Sequence, residues 1–116
     1  MLERRKHPRC KVSVPVEIHS EGNAAPLHCA TSDLSLGGCY IESMYPFPAG
    51  TYCDLKLDAS GPLIISAKVV TCDPQFGNGI VFVRMLPEER ATLIKFLDQV
   101  APGSGEQNVA GREDRT

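Results

Sequence analysis

Leu27-His-Cys-Ala-Thr-Ser-Asp-Leu-Ser-Leu-Gly-Gly-Cys-Tyr-Ile-Glu-Ser43 reads as two short strands on either side of a glycine turn. The first strand is predicted from about Leu27 to Thr31 and leads into Asp33-Leu-Ser-Leu-Gly-Gly38; the second is predicted from Cys39 to Ser43. Asp and Ser side chains bond nearby backbone amides and glycine tolerates left-handed backbone, so this composition favours a tight bend. Upstream, Val12, Val14, Val16 and Ile18 alternate with Lys11, Ser13, Pro15 and Glu17, the period of a half-buried strand. Pro15 cannot donate to a sheet ladder, which predicts a free edge or a bulge there. Glu21-Gly-Asn23 then supplies a turn.

Downstream of the quoted stretch, Pro46-Phe-Pro-Ala-Gly50 is a punctuated loop, and Cys53, Leu55 and Leu57 then alternate with Asp54, Lys56 and Asp58. Ser60-Gly-Pro62 closes that strand. A long β-branched segment follows from Leu63 to Cys72, a turn from Asp73 to Asn78, and a sixth strand from Gly79 to Met85. Six short strands with turns between them predict a small barrel. The period then changes to about 3.6: Pro87 at a first-turn position, Glu88 and Glu89 behind it, and a stripe of Leu93, Leu97 and Val100 flanked by Ile94 and Phe96 describe an amphipathic helix stopped by Pro102-Gly103. The predicted class is mainly all-β: a six-stranded antiparallel barrel with a C-terminal helix.

A chain of 116 residues supports one core. We expect a basic arm over residues 1–11, a barrel plus helix over 12–101 and a disordered tail over 102–116. The overall charge of −2 hides an asymmetry, because residues 1–11 hold five bases and one acid while the rest hold seven bases and thirteen acids. A basic segment on an acidic body suits a small anionic ligand and disfavours long nucleic acid, which the body would repel. No apolar run is long enough to cross a bilayer, and the N-terminus lacks the apolar core of a signal peptide, so no membrane insertion and a cytoplasmic location are expected. The five cysteines are widely spaced with no C-x-x-C pair, which predicts reduced core thiols. His19 and His28 read as strand or surface residues, without the ligand spacing of a zinc site. No nucleophile elbow, Walker loop or H-E-x-x-H is present, so no catalytic residue, enzyme activity or metal is expected.

Two motifs carry the functional reading. Arg5-Lys-His-Pro-Arg9 has the form R-x-x-x-R just before the first strand, and Asp33-Leu-Ser-Leu-Gly-Gly38 has the form D-x-S-x-x-G between the second and third. Leu36-Gly-Gly-Cys-Tyr-Ile-Glu-Ser43, Pro48-Ala-Gly50 and Gly79-Ile-Val-Phe82 accompany them. In these residues the chain resembles the PilZ family from about Glu3 to Val100. The resemblance implies a six-stranded barrel that binds cyclic di-GMP on its outer surface, clamped between the barrel and the N-terminal arm.

The residue types suit that ligand on physical grounds. Arginine can fork onto guanine O6 and N7 or onto phosphate oxygens, which assigns Arg5 and Arg9 as principal contacts. An aspartate carboxylate accepts from guanine N1 and N2 hydrogens, a serine hydroxyl bonds at short range, and glycine admits close backbone approach. Asp33, Ser35 and Gly38 take these roles, with Gly37 in support; Ser35 and the glycines could equally serve the bend itself. In similar proteins an arginine at the position of Arg4 accompanies an intercalated ligand dimer, which favours two molecules of cyclic di-GMP per chain. Lys6, His7 and Pro8 support the arm. A downstream protein partner, not identified by the sequence, is expected to read the ordered arm. The alternatives are a PilZ-like interaction adaptor that does not bind nucleotide and, from another class, a barrel for single-stranded nucleic acid. The seven aromatics, absent tryptophan and acidic body disfavour the last.

Overall fold

Alternation of apolar and polar side chains sets the barrel wall. In β4 (Tyr52–Asp58), Cys53, Leu55 and Leu57 are buried while Tyr52, Asp54, Lys56 and Asp58 are exposed, as a strand with one dry face requires. The computed structural model describes residues 9–20 and 25–100. The other strands are β1 (Pro15–Ser20), β2 (Leu27–Leu34), β3 (Gly38–Glu42), β5 (Pro62–Asp73) and β6 (Gly77–Arg84), and the helix is α1 (Pro87–Val100). The strands form a closed barrel in the order β1-β2-β3-β6-β5-β4, with every pairing antiparallel. The predicted class and element order agree with this. Of the predicted segments, the arm upstream of Arg9 and the tail from residue 102 lie outside the described residues.

Pro15 does not mark a free edge. It is the first residue of β1, where it faces Ala30 of β2, and pairing with β4 begins one residue later at Val16 and Leu57. Proline is tolerated there because the missing N–H of a strand's first residue interrupts no ladder. The alternation at Val12 and Val14 has another cause. Thr31, buried inside the barrel, donates its hydroxyl to the Val12 carbonyl (2.7 Å) and accepts from the Val14 amide (3.0 Å). The Thr31 hydroxyl thus adds to one backbone bond, from the Thr31 amide to the Val14 carbonyl (3.0 Å).

Val14, Leu34, Leu55, Leu57, Ile65 and Val69 fill the interior, and α1 closes over it. Leu93 is fully buried, Phe96 and Leu97 pack against the core, and Ile94 faces solvent. Glu89 fixes the helix start by accepting from the amides of Ile64 (3.1 Å) and Leu86 (3.3 Å). Cys10, Cys39 and Cys53 are buried free thiols, and Cys29 and Cys72 are half-buried. Burial pushes the Cys53 thiol up to about 11 and raises Cys39 further.

Asn78 is a structural residue that sequence reasoning missed. Its buried amide accepts from the Phe47 amide (2.9 Å) and donates to the carbonyls of Phe47 (2.8 Å) and Thr71 (3.1 Å), tying the proline loop to the barrel. Asn78→Ala leaves backbone groups of Phe47 without partners, at an expected cost of about 2 kcal/mol. A urea midpoint that does not move would contradict that assignment.

Candidate functional site

The end of the leader is attached to β2 beside the Asp33 bend. Cys10 and Leu34 exchange both backbone hydrogen bonds, Cys10 N–H to Leu34 O at 2.8 Å and Leu34 N–H to Cys10 O at 2.9 Å. This short bridge brings the Arg9 guanidinium to 3.5 Å from an Asp33 carboxylate oxygen. Both side chains remain open to solvent, Arg9 at 35% and Asp33 at 19% of full exposure. That Asp33 oxygen, Oδ1, is itself shielded and has no hydrogen-bond partner among the described residues; at 3.5 Å the arginine attracts it without forming a hydrogen bond. Asp33 therefore keeps one shielded carboxylate oxygen whose nearest charged neighbour is the Arg9 guanidinium.

A β-bulge turns Asp33 outward. Thr31 and Leu34 are both buried although three residues apart, which a strict two-residue period forbids. Ser32 is the extra residue: Thr31 pairs with Ile41 and Asp33 with Tyr40, so the register slips between them. Bulges commonly re-aim a side chain in this way.

The rest of the motif builds the bend. Ser35 is only 5% exposed. Its hydroxyl oxygen accepts from the amides of Gly37 and Gly38, each at 3.1 Å, and donates to the Gly38 carbonyl at 3.2 Å. Gly37 accepts from the Phe82 amide at 2.8 Å. Gly38 is needed for close approach between strands, not for left-handed backbone, since a Cβ there would lie 2.2 Å from the Ile80 carbonyl oxygen. Of the predicted site residues, the structure brings Arg9 and Asp33 together, with Ser35, Gly37 and Gly38 in the adjoining turn. Arg4 and Arg5 lie outside the described residues.

Two groups escaped the sequence reading. Tyr40, across from Asp33, donates its hydroxyl to Asp73 at 2.7 Å, and the two side chains line an open groove of about 790 Å³ with Glu42, Met44 and Phe76. Tyr40's place next to the motif is a signal, but its partner is too distant in the chain to be inferred. The hydrogen bond to Asp73 pushes the Tyr40 phenol up to about 12. Because the folded value lies above the ordinary 10.0, this contribution to stability is complete below pH 10 and is lost as pH rises through about 12. Phenolate absorbance in an alkaline titration should therefore contain a late component that Tyr40→Phe removes.

The second group lies elsewhere on the wall. Glu17 sits between His19 and His28, each ring Nε2 2.8 Å from a different carboxylate oxygen. The histidines are surface residues as expected, but the fold pairs them through one acid, and their hydrogen bonds hold the Glu17 carboxyl below its usual value. Among the described residues, no group of three or more His, Cys, Asp or Glu side chains could hold a metal ion, and no helix is long and apolar enough to cross a membrane.

A closed six-stranded antiparallel barrel, a D-x-S-x-x-G bend and an arginine-bearing leader bridged beside it define a PilZ-type domain. The chain belongs to the PilZ domain family, whose model matches residues 3–99. The PilZ domain of YcgR from Escherichia coli, solved with c-di-GMP, superposes with a TM-score of 0.71 at 14% identity, covering 84% of this chain and 92% of that one. The PilZ domain of CeSA from a cellulose-synthesizing bacterium gives 0.60 at 20% identity, covering 76% and 92%. The Bacillus subtilis inhibitor of motility (MotI/DgrA) gives 0.69 at 15% identity, covering 82% of this chain and 49% of that longer protein. At these identities the similarity is one of fold. No curated protein sequence matches the chain.

Proposed function

We propose that this PilZ domain is a receptor for cyclic di-GMP, held between arginines of the leader and the Asp33 side of the barrel. The observation that carries the reading is the pair Arg9 and Asp33: a fork of donors 3.5 Å from a shielded carboxylate oxygen that has no hydrogen bond among the described residues, on two partly exposed side chains. Guanine needs both kinds of group, acceptors for its N1 and N2 hydrogens and donors for O6 and N7. Family membership supports the ligand, and the YcgR PilZ domain was solved with it. In this reading Arg9 and Asp33 are direct contacts. Ser35, Gly37 and Gly38 hold the bend that presents Asp33, with Gly38 packed against the Ile80 backbone.

Arg5, four residues before Arg9, would close over the nucleotide from the other side, and Arg4 would serve a second molecule, giving two ligands per chain. Ordering a residue costs about 1 to 2 kcal/mol. Arg9 avoids most of that cost because Cys10 is already bridged to Leu34, so the cost falls on the residues before it. Charge-assisted bonds must exceed it. The ordered leader then changes the surface that a downstream protein reads.

Calorimetric titration of the whole chain with cyclic di-GMP tests this. Heat with saturation at two equivalents is expected; saturation at one would remove the role given to Arg4. A flat titration would reject the receptor and favour an adaptor that works through protein contacts alone.

A further inference from the structure

We propose that the groove between the β2–β3 turn, the end of β6 and the start of α1 is a docking surface for a partner segment that combines carboxylates with apolar side chains. Leu36, Phe82, Val83 and Met85 supply its apolar lining, and Arg84 and Arg90 flank it. Its volume of about 380 Å³ lies at the small end of ligand-sized pockets, room for a few side chains and too little for a folded domain. Val83 and Leu86 beside it are 58% and 55% exposed, so the apolar surface continues beyond the groove.

Charge complementarity selects the occupant. Among the described residues, neither Arg84 nor Arg90 forms an ion pair, whereas Arg9, His19 and His28 each meet a carboxylate. Beyond residue 11 acids outnumber bases thirteen to seven, so two guanidinium groups without an ion pair among the described residues, beside one apolar groove, are a local exception to an acidic composition. A guanidinium binds a carboxylate through two parallel hydrogen bonds, and arginine beside apolar side chains is the composition enriched at protein interfaces. A membrane surface usually requires four to eight clustered cations, and a nucleic acid would meet the acidic body. The two cations fit one short acidic and apolar peptide segment.

The groove is joined to the candidate nucleotide site through the backbone. Gly37, on the groove wall, accepts from Phe82 N–H at 2.8 Å, and the Ser35 hydroxyl that receives the Gly37 amide sits two residues from Asp33. Partner docking would thus involve the same bend that presents Asp33. The link between the two sites rests on the cyclic di-GMP reading; the docking surface does not.

The test uses the full chain, isotopically labelled, and two synthetic probes: acetyl-Glu-Leu-Asp-Leu-Glu-Leu-amide and a control with lysine at each acidic position. The acidic probe should shift the amides of Leu36, Gly37, Val83, Arg84 and Arg90, with an affinity that falls as salt is raised. The double variant R84E/R90E, at two exposed positions, should lower that affinity at least about tenfold while thermal melting confirms the fold. No shifts, shifts confined to another face, or equal responses to both probes would overturn the proposal. A parallel titration with cyclic di-GMP separates the two readings. Nucleotide binding without peptide binding sinks the docking surface, and peptide binding without nucleotide binding supports it while sinking the receptor.

Discussion

Arg9→Ala should weaken cyclic di-GMP binding by roughly ten- to a hundredfold, the loss expected when one bidentate contact worth about 1 to 3 kcal/mol is removed. The fold should survive. Arg9 precedes the Cys10–Leu34 bridge, and its ion pair with Asp33 at 3.5 Å is long and partly exposed, so its contribution to stability is small. Thermal midpoints of variant and wild type should agree within about 4 °C. Arg9→Lys separates charge from geometry: it keeps the positive charge but loses the fork, so it should recover only part of the affinity. Asp33→Asn should also lose affinity, because an amide offers one acceptor where guanine N1 and N2 present two donors. Unchanged isotherms for both Arg9→Ala and Asp33→Asn would remove this pair from the ligand site.

Gly38→Val should destabilise the unliganded protein by at least about 3 kcal/mol, lowering the melting temperature by roughly 10 to 20 °C. Within the barrel wall, a Cβ at position 38 would sit 2.2 Å from the Ile80 carbonyl oxygen and 3.2 Å from its carbon. Both are backbone atoms, in a strand held on its other edge by β5. Neither strand can yield without breaking ladder hydrogen bonds. This distinguishes the glycine's two candidate roles: if Gly38 serves only ligand approach, the variant should melt normally and lose binding alone. A melting temperature within a few degrees of wild type would show that β3 and β6 separate more easily than their geometry implies.

How much of this was legible in advance varies from segment to segment. The alternation of Cys53, Leu55 and Leu57 with Asp54, Lys56 and Asp58 gave β4 almost to its ends, because a two-residue period on a half-wet wall is a direct consequence of strand geometry. Pro87, Glu88 and Glu89 gave the start of α1, because those residues meet the requirements of a first turn. The start of β1 was misjudged. Val12 and Val14 continue the apolar period, yet their backbone is held by Thr31 through its hydroxyl and through one amide bond to the Val14 carbonyl, and a side chain that takes part of a strand's bonding leaves no mark in local periodicity. Pro15 misled for a related reason: whether its missing donor implies an edge depends on whether the sheet closes.

The candidate site divides in the same way. R-x-x-x-R and D-x-S-x-x-G pointed to the proposed chemistry, since forked donors, a carboxylate and small turn residues are recognisable by type. Their division of labour was hidden. Ser35 could be read as a ligand hydroxyl and as a turn residue, and its bonds with Gly37 and Gly38 show the turn role; Asp33 could be read as a turn residue, and the bulge at Ser32 aims it outward.

Local order in the chain was enough to specify the strands, the helix and the motif bend, because propensity, period and turn chemistry act over a few residues. Meetings between distant residues came from barrel closure. Arg9 beside Asp33, Tyr40 on Asp73, the two histidines on Glu17, and Arg84 with Arg90 around one groove depend on strand order and on a register that a single bulge alters. A shift of one residue sends every side chain of a strand to the opposite face, so such encounters exist only once the whole wall is assembled.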